Sequence, residues 1–317
     1  MARLLAALLI LCAATTMTRA ADWPAQTIHI VSPYPPSGAT DRVARVLADY
    51  LSQRLGVAVV VDTRVGAASA IGAMQVVRSE PDGYTLLLSG IAIYVIAPTM
   101  NASPIVEPTR MLTQIAYLGG SPTCMVVSAK SDIKSVDDIK RAEAAGRKFL
   151  YSSVGIGSLG NMVGEATNHD AGLHMTHVPY TTLNLVDVAE GRVQFGLFAW
   201  TSVQGLVESG DLRLVAVSSR QRPTMMPNVR TFAEQGVNAE VESWLALSGP
   251  RGMSPAIVER LNGMVGDFLR DPEIRRKLSN DIFEWRPMAL AEFDEFIRQQ
   301  VDTWQPRIRA AEASREH

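Results

Sequence analysis

One stretch limits the fold more than any other. Residues Thr27 to Asp41 read T-I-H-I-V-S-P-Y-P-P-S-G-A-T-D. The alternating apolar start, Ile28 and Ile30 with Val31 following, predicts a strand. Pro33, Pro35, Pro36 and Gly38 break it. From Ala39 onward, Val43, Ala44, Val46, Leu47 and Leu51 recur at helical spacing. A strand feeding a helix through a short turn is the repeating unit of an α/β sheet. It also leaves the first helical N–H groups without intrahelical carbonyls, at the positive end of the helix dipole. Such a turn can hold a carboxylate, or it can be a surface βα turn with no ligand.

The alternation continues along the chain. Val57 to Val61 reads as a buried parallel strand, Arg64 to Gly72 as a small-residue loop entering a helix, and Pro81 to Ser89 as a turn and a strand. The pattern predicts a doubly wound α/β sheet, in which ligands sit outside the carboxyl ends of the strands. Ile115 to Val127 is a long apolar strand interrupted by Gly119, Gly120, Ser121 and Pro122. After Thr123 the alternation restarts, with Ser135 as a helix N-cap and strands at 149–154, 176–180, 193–198 and 212–218. Trp244 to Pro250 is a further strand with a Gly-Pro break. Helices follow from Ser254 and Asp271, and a last amphipathic one from about Leu290 to Ala311 should pack back on the first domain. The expected division is 21–122 plus 245–317 for one lobe and 123–244 for the other, with two crossings forming a hinge.

With 317 residues, 47% hydrophobic, the chain can build two cores rather than one. Lys+Arg 30 against Asp+Glu 32 leaves a formal charge of −2, which argues against nucleic acid or an anionic membrane as partner. Residues 1–20 have a positive start, an apolar stretch and small residues before Ala20, the pattern of a secretory signal peptide. The chain is therefore expected in the periplasm. Cys12 follows Leu11, which does not suit a lipid-attachment site. Cys124 then stands alone and is expected to be a small buried hydrophobe.

Gly155-x-Gly157-x-x-Gly160 matches a dinucleotide fingerprint, but the next strand ends in Tyr180 rather than an acidic residue. The better reading is a second anion-binding turn facing the first, with Ser153 and Ser158 adding hydroxyls. The five histidines are scattered, with no metal-ligand spacing, and His177 reads as a structural residue. There is no Gly-x-Ser-x-Gly nucleophile elbow. No metal, cofactor or catalytic residue is expected. Tyr180, Phe198 and Trp200, which follow or end strands, fit core packing and ligand contact equally well.

Taken jointly, Trp23-Pro24, Pro33 to Asp41, Gly66-Ala67 with Ile71-Gly72-Ala73, Pro81 to Leu88, Tyr151 to Gly155, His177 to Tyr180, and Leu261-Asn262 with Asp271-Pro272-Glu273 are familiar. Over essentially the whole mature chain the sequence resembles the Bug-type exported solute receptors of the tripartite tricarboxylate transporter family. The resemblance implies a type II periplasmic binding-protein fold, a two-lobed Venus flytrap that closes on a small organic acid and presents it to membrane transporter subunits. It further implies that Tyr34, Pro35, Ser37, Gly38, Ala39, Thr40 and Asp41 form a turn holding a carboxylate. Ser153, Gly157 and Ser158 would complete the cleft with Tyr180 and Thr181. Ser89 and Gly90 stand at the loop after the third strand. Phe198 and Trp200 would supply apolar contacts with Tyr34.

The departures matter as much. Thr181 to Asn184 replace a Lys-Gly continuation, and Phe198 stands where an aspartate is common. The cleft is thus expected to be weakly cationic and to take a monocarboxylate or aromatic acid rather than citrate. A monomer is expected. A sensor signalling to a membrane kinase, or an exported enzyme, are the alternatives on the same fold.

Overall fold

The stretch at the start of the chain folds as its pattern requires. The computed structural model describes residues 23–36, 38–99, 107–155, 158–180, 183–223, 225–281 and 285–313. The expected signal segment with Cys12, and Ser37, Gly157 and Thr181 of the expected site, lie outside them. Strand β1 (Ile28–Ser32) buries every side chain except His29, whose Nδ1 lies 2.8 Å from Asp62 Oδ2. Helix α1 (Ala39–Leu55) buries Val43, Ala44, Leu47, Leu51 and Leu55 along one face. It ends at Gly56, whose φ of +71° gives the left-handed C-cap that glycine adopts without strain.

The other strands are β2 (Val59–Thr63), β3 (Thr85–Gly90), β4 (Leu112–Ser128), β5 (Leu150–Ser153), β6 (Thr176–Pro179), β7 (Phe195–Ala199), β8 (Leu212–Val217) and β9 (Glu242–Pro250). They run in the order β2-β1-β3-β9-β4-β7-β5-β6, with β8 also on β4. The architecture is mixed rather than all parallel. Strand β9 is antiparallel to both its neighbours, and β4 is antiparallel to β7, β8 and β9. Strand β2, expected to be buried, is an edge strand with only Val59 fully covered.

β4 organises the molecule. Residues Leu112 to Pro122 pair with β9 in the first sheet, and Thr123 onward pair with β7 and β8 in the second. Near the transition the β4–β9 register slips between Tyr117 and Gly119, and Gly119 has a φ of +114°. A bulge of this kind bends the strand and raises its twist, which lets one strand serve two sheets. Cys124, just past the transition, is wholly buried, and burial pushes its thiol well above the usual range.

Helices α2 (Ala70–Val77), α3 (Val136–Ala144), α4 (Leu159–Ala171), α5 (Trp200–Glu208), α6 (Pro255–Arg270) and α7 (Leu290–Ala313) cover the sheets. Ser135 caps α3 as expected, accepting from the Asp138 N–H at 3.1 Å. Ser254 occupies the N-cap of α6 without a side-chain cap bond. Expected to pack back on the first half, α7 does so and also reaches residues just ahead of β9. Gln305 Nε2 donates to the Tyr94 carbonyl at 3.1 Å, Trp304 Nε1 to the Glu240 carbonyl at 3.0 Å, and Arg307 Nη1 to the Asn238 carbonyl at 2.7 Å. Two helical glycines, Gly205 in α5 and Gly263 in α6, would gain a Cβ with nothing within 4 Å. Gly205→Ala and Gly263→Ala are each expected to stabilise the fold by about 0.5–1 kcal/mol in urea titrations.

Candidate functional site

Strand polarity fixes where the two candidate turns emerge. β1 is parallel to β3, and β3 and β4 are each antiparallel to β9, so β1, β3 and β4 run in the same direction. Their carboxyl ends therefore point toward the place where β4 leaves the first sheet. β7 is antiparallel to β4 and parallel to β5, so β5 and β7 run back toward the same place. The register agrees: Gly90 of β3 is level with Leu245 and, across β9, with Gly119, while Ala199 of β7 is opposite Thr123. The turn after β1 and the turn after β5 thus leave the two sheets toward one crossing.

The first turn opens α1 at Gly38, an extended N-cap residue that has no side chain to cap with. The N–H groups of Ala39 and Thr40 lie ahead of the first intrahelical bond, Arg42 N–H to the Gly38 carbonyl at 3.1 Å. Tyr34 is half-buried against the core of the first half, and its hydroxyl approaches Gly90. Burial pushes its phenol well above the ordinary value. Asp41 is directed along the helix, where its Oδ2 accepts from Arg45 Nε at 2.9 Å. Arg42, in the same turn, is held by the buried carboxylate of Asp281 through both Nε and Nη2. The guanidinium groups of Arg42 and Arg45 are thereby paired with carboxylates.

The second turn is capped rather than open. Ser158 is the N-cap of α4, accepting from the Asn161 N–H at 3.3 Å and donating to the Gly155 carbonyl at 2.6 Å. Ser153 is wholly buried behind the turn, with Oγ 2.8 Å from His177 Nε2 and 3.0 Å from the Gly155 carbonyl. Both serine hydroxyls, expected to face an anion, instead build the turn. Tyr180 is part-exposed and donates to Asp187 Oδ2 at 2.5 Å. That bond is the main cause of the raised Tyr180 phenol and, with Arg192, of the lowered Asp187 carboxyl.

Three other expectations are corrected. Ser89 is wholly buried, its Oγ 2.6 Å from Ser248 Oγ, which in turn lies 2.8 Å from the Tyr94 hydroxyl. Burial pushes Tyr94 up to about 12. Ser89 thus joins a chain of hydroxyls inside the first sheet. Phe198 and Trp200 are only 3% and 5% exposed and pack with Cys124, Val126, Val203 and Val217. Phe198, on the interior strand β7, and Trp200, the first residue of α5, fill the core between that helix and the sheet. Gly90 stays at the crossing, where a Cβ would lie 2.3 Å from the Trp244 carbonyl oxygen and 3.3 Å from the Tyr34 hydroxyl.

Sequence reasoning missed the polar chain behind the second turn. Tyr151 and His177 are register partners on β5 and β6 and their rings stack at 4.7 Å. Asn161 and Glu165, four apart on α4, reach Tyr151 from above. The i,i+4 pair on a helix following a Tyr-bearing strand was the available signal. Among the described residues there is no group of three or more His, Cys, Asp or Glu placed to hold a metal ion. No described helix is long and apolar enough to cross a membrane.

Residues 43–312 match the description of the tripartite tricarboxylate transporter family receptor. Protein BugT of Bordetella pertussis is 32% identical over 257 residues, covering 80% of this chain and 79% of that protein. A TctC solute-binding protein from Polaromonas superposes with a TM-score of 0.82 at 22% identity, covering 90% of this chain and 99% of that one. Rpa4515 of R. palustris, solved with adipate, has a TM-score of 0.73 at 28% identity, covering 92% and 98%. The shared fold is that of periplasmic solute-binding proteins. The chain belongs to the tripartite tricarboxylate transporter receptor family and is a solute-binding receptor of the periplasmic kind.

Proposed function

We propose that this receptor closes its two lobes, 21–122 with 245–317 and 123–244, on a small organic carboxylate and delivers it to a tripartite tricarboxylate-type membrane transporter. It is exported by means of residues 1–20 and acts as a monomer. The observation that carries the reading is the convergence of the turns after β1 and β5 on the β4 crossing. Tyr34 to Asp41 grip the carboxylate through backbone N–H groups, and the segment from Ser153 through Ser158, with Tyr180 and Thr181, closes on it from the other lobe.

The pairing of Arg42 and Arg45 with Asp281 and Asp41 leaves recognition to backbone donors. Each hydrogen bond to a charged group contributes roughly 1.5–3 kcal/mol, so three or four supply about 5–12. Micromolar affinity needs about 8 kcal/mol after the costs of association. One carboxylate, or one at each end of the ligand, can be held this way, and neither Arg42 nor Arg45 is free to meet a third. With Phe198 and Trp200 in the core, a slender aliphatic acid suits the cleft better than an aromatic one. The adipate held by Rpa4515 is an acid of this kind.

Calorimetry with adipate, benzoate and citrate tests this. Adipate is expected to bind in the micromolar range and citrate at least about tenfold more weakly. Tighter binding of citrate would remove the case for a weakly cationic cleft. Lost uptake of the bound acid on gene deletion supports delivery, whereas intact uptake with lost gene induction would assign the receptor to sensing.

A further inference from the structure

Behind the second turn a chain of hydrogen bonds runs from the surface of α4 to the peptide of Gly155, whose carbonyl Ser158 Oγ also reaches at 2.6 Å while lying 3.1 Å from Ser153 Oγ. Glu165, exposed on α4, can only accept, so the one proton of the Tyr151 hydroxyl goes to its carboxylate. The Tyr151 oxygen must then accept, and it does so from Asn161 Nδ2 at 3.0 Å. That assignment fixes the amide orientation and turns the second Nδ2 hydrogen toward His177 Nδ1 at 3.3 Å. His177 Nδ1 is therefore an acceptor and the ring proton sits on Nε2, which donates to Ser153 Oγ at 2.8 Å. Ser153 Oγ in turn grips both polar atoms of Gly155, donating to its carbonyl at 3.0 Å and accepting from its N–H at 3.2 Å. Gly155 has a φ of +117°, which glycine adopts without the strain that a side chain would bring.

We propose that His177, held as its neutral Nε2–H tautomer, is a positioning residue that sets the shape of the second-lobe ligand turn through Ser153 and Gly155. The proposal rests on the reading of that turn as part of the carboxylate site. Two further observations support it. Tyr151 stacks on the His177 ring with an interplanar angle of 19°, which holds the imidazole in line with Ser153. Burial also lowers the His177 pKa, only partly opposed by Glu165, and this favours the neutral ring that the chain requires. A proton on Nδ1 would face the Asn161 amide hydrogens, and turning the amide would set two acceptors against each other at Tyr151.

The experiment uses the full chain, its His177→Phe and His177→Gln variants, and adipate as probe. Phe keeps the stack on Tyr151 but has no donor; Gln restores a donor near the Nε2 position. Long-range ¹H–¹⁵N spectra of the wild type should show His177 protonated on Nε2 and bare on Nδ1. In His177→Phe the Gly155 amide should exchange with solvent faster, while the Thr176 amide, bonded to the Phe149 carbonyl, is unchanged. Adipate affinity should fall about tenfold in His177→Phe and return to within about threefold of wild type in His177→Gln. A proton on Nδ1, or Gly155 exchange that does not respond to loss of the donor, would overturn the proposal. Equal weakening in both variants would also do so, since it would assign His177 a packing role only. If wild-type protein binds no carboxylate, the reading of the site fails, while tautomer and exchange still decide whether His177 sets the turn.

Discussion

Replacing Gly90 with alanine is expected to destabilise the protein by about 3 kcal/mol and to weaken ligand capture at the same time. The new Cβ would lie 2.3 Å from the carbonyl oxygen of Trp244, a backbone atom that cannot rotate away. Gly90 pairs with Leu245 across the β3–β9 ladder, so relief requires the two strands to part at their cleft end. The Tyr34 hydroxyl, 3.3 Å from the same point, would be displaced with them and would carry the first turn out of place. Denaturant unfolding and calorimetry of the variant measure both effects, with Gly263→Ala as the control for glycine replacement in open space. A variant as stable as wild type would show that β3 and β9 have more play at this end than their register implies.

The second large effect is expected at Trp304. Truncation to alanine should cost about 3–5 kcal/mol, the usual range for removing a wholly buried aromatic side chain. Trp304 is 0% exposed and belongs to a cluster that includes Leu87 and Tyr94 of the first half and Met125, Phe149 and Phe195 of the second. It also donates to the Glu240 carbonyl at 3.0 Å, at the entrance to β9. The loss should appear as a single shifted unfolding transition if the shared cluster keeps the halves cooperative. Trp304→Phe should recover much of the stability by refilling volume, though not the bond to Glu240. A cost below about 1 kcal/mol for Trp304→Ala would mean that α7 rests on the sheets without anchoring them.

The α/β framework was legible because its signals are local. The apolar alternation at Ile28 and Ile30, the breaks at Pro33 to Gly38, and the helical spacing from Val43 to Leu51 each report on neighbours in sequence. Ser135 as N-cap could be read for the same reason. The antiparallel return of β9 was not legible, since an apolar strand carries no mark of its partner's direction. The site was legible only in part. Proline and glycine revealed the turns, but whether a hydroxyl faces the cleft or the core depends on strand order. Ser89, Ser153, Phe198 and Trp200 were misjudged on that account. The pairing of Arg42 with Asp281, distant in sequence, left no local trace.

Because β4 gives its first eleven residues to one sheet and its last six to the other, neither half owns a complete set of strands. A fragment ending at Pro122 would lack β9, the strand that sits between β3 and β4, and one beginning at Thr123 would keep β9 without either of those neighbours. The receptor therefore cannot be dissected at its waist into two autonomous folding units. Shortening that common strand by a single residue would invert the facing of every side chain beyond the cut, scrambling one sheet while the other stayed intact.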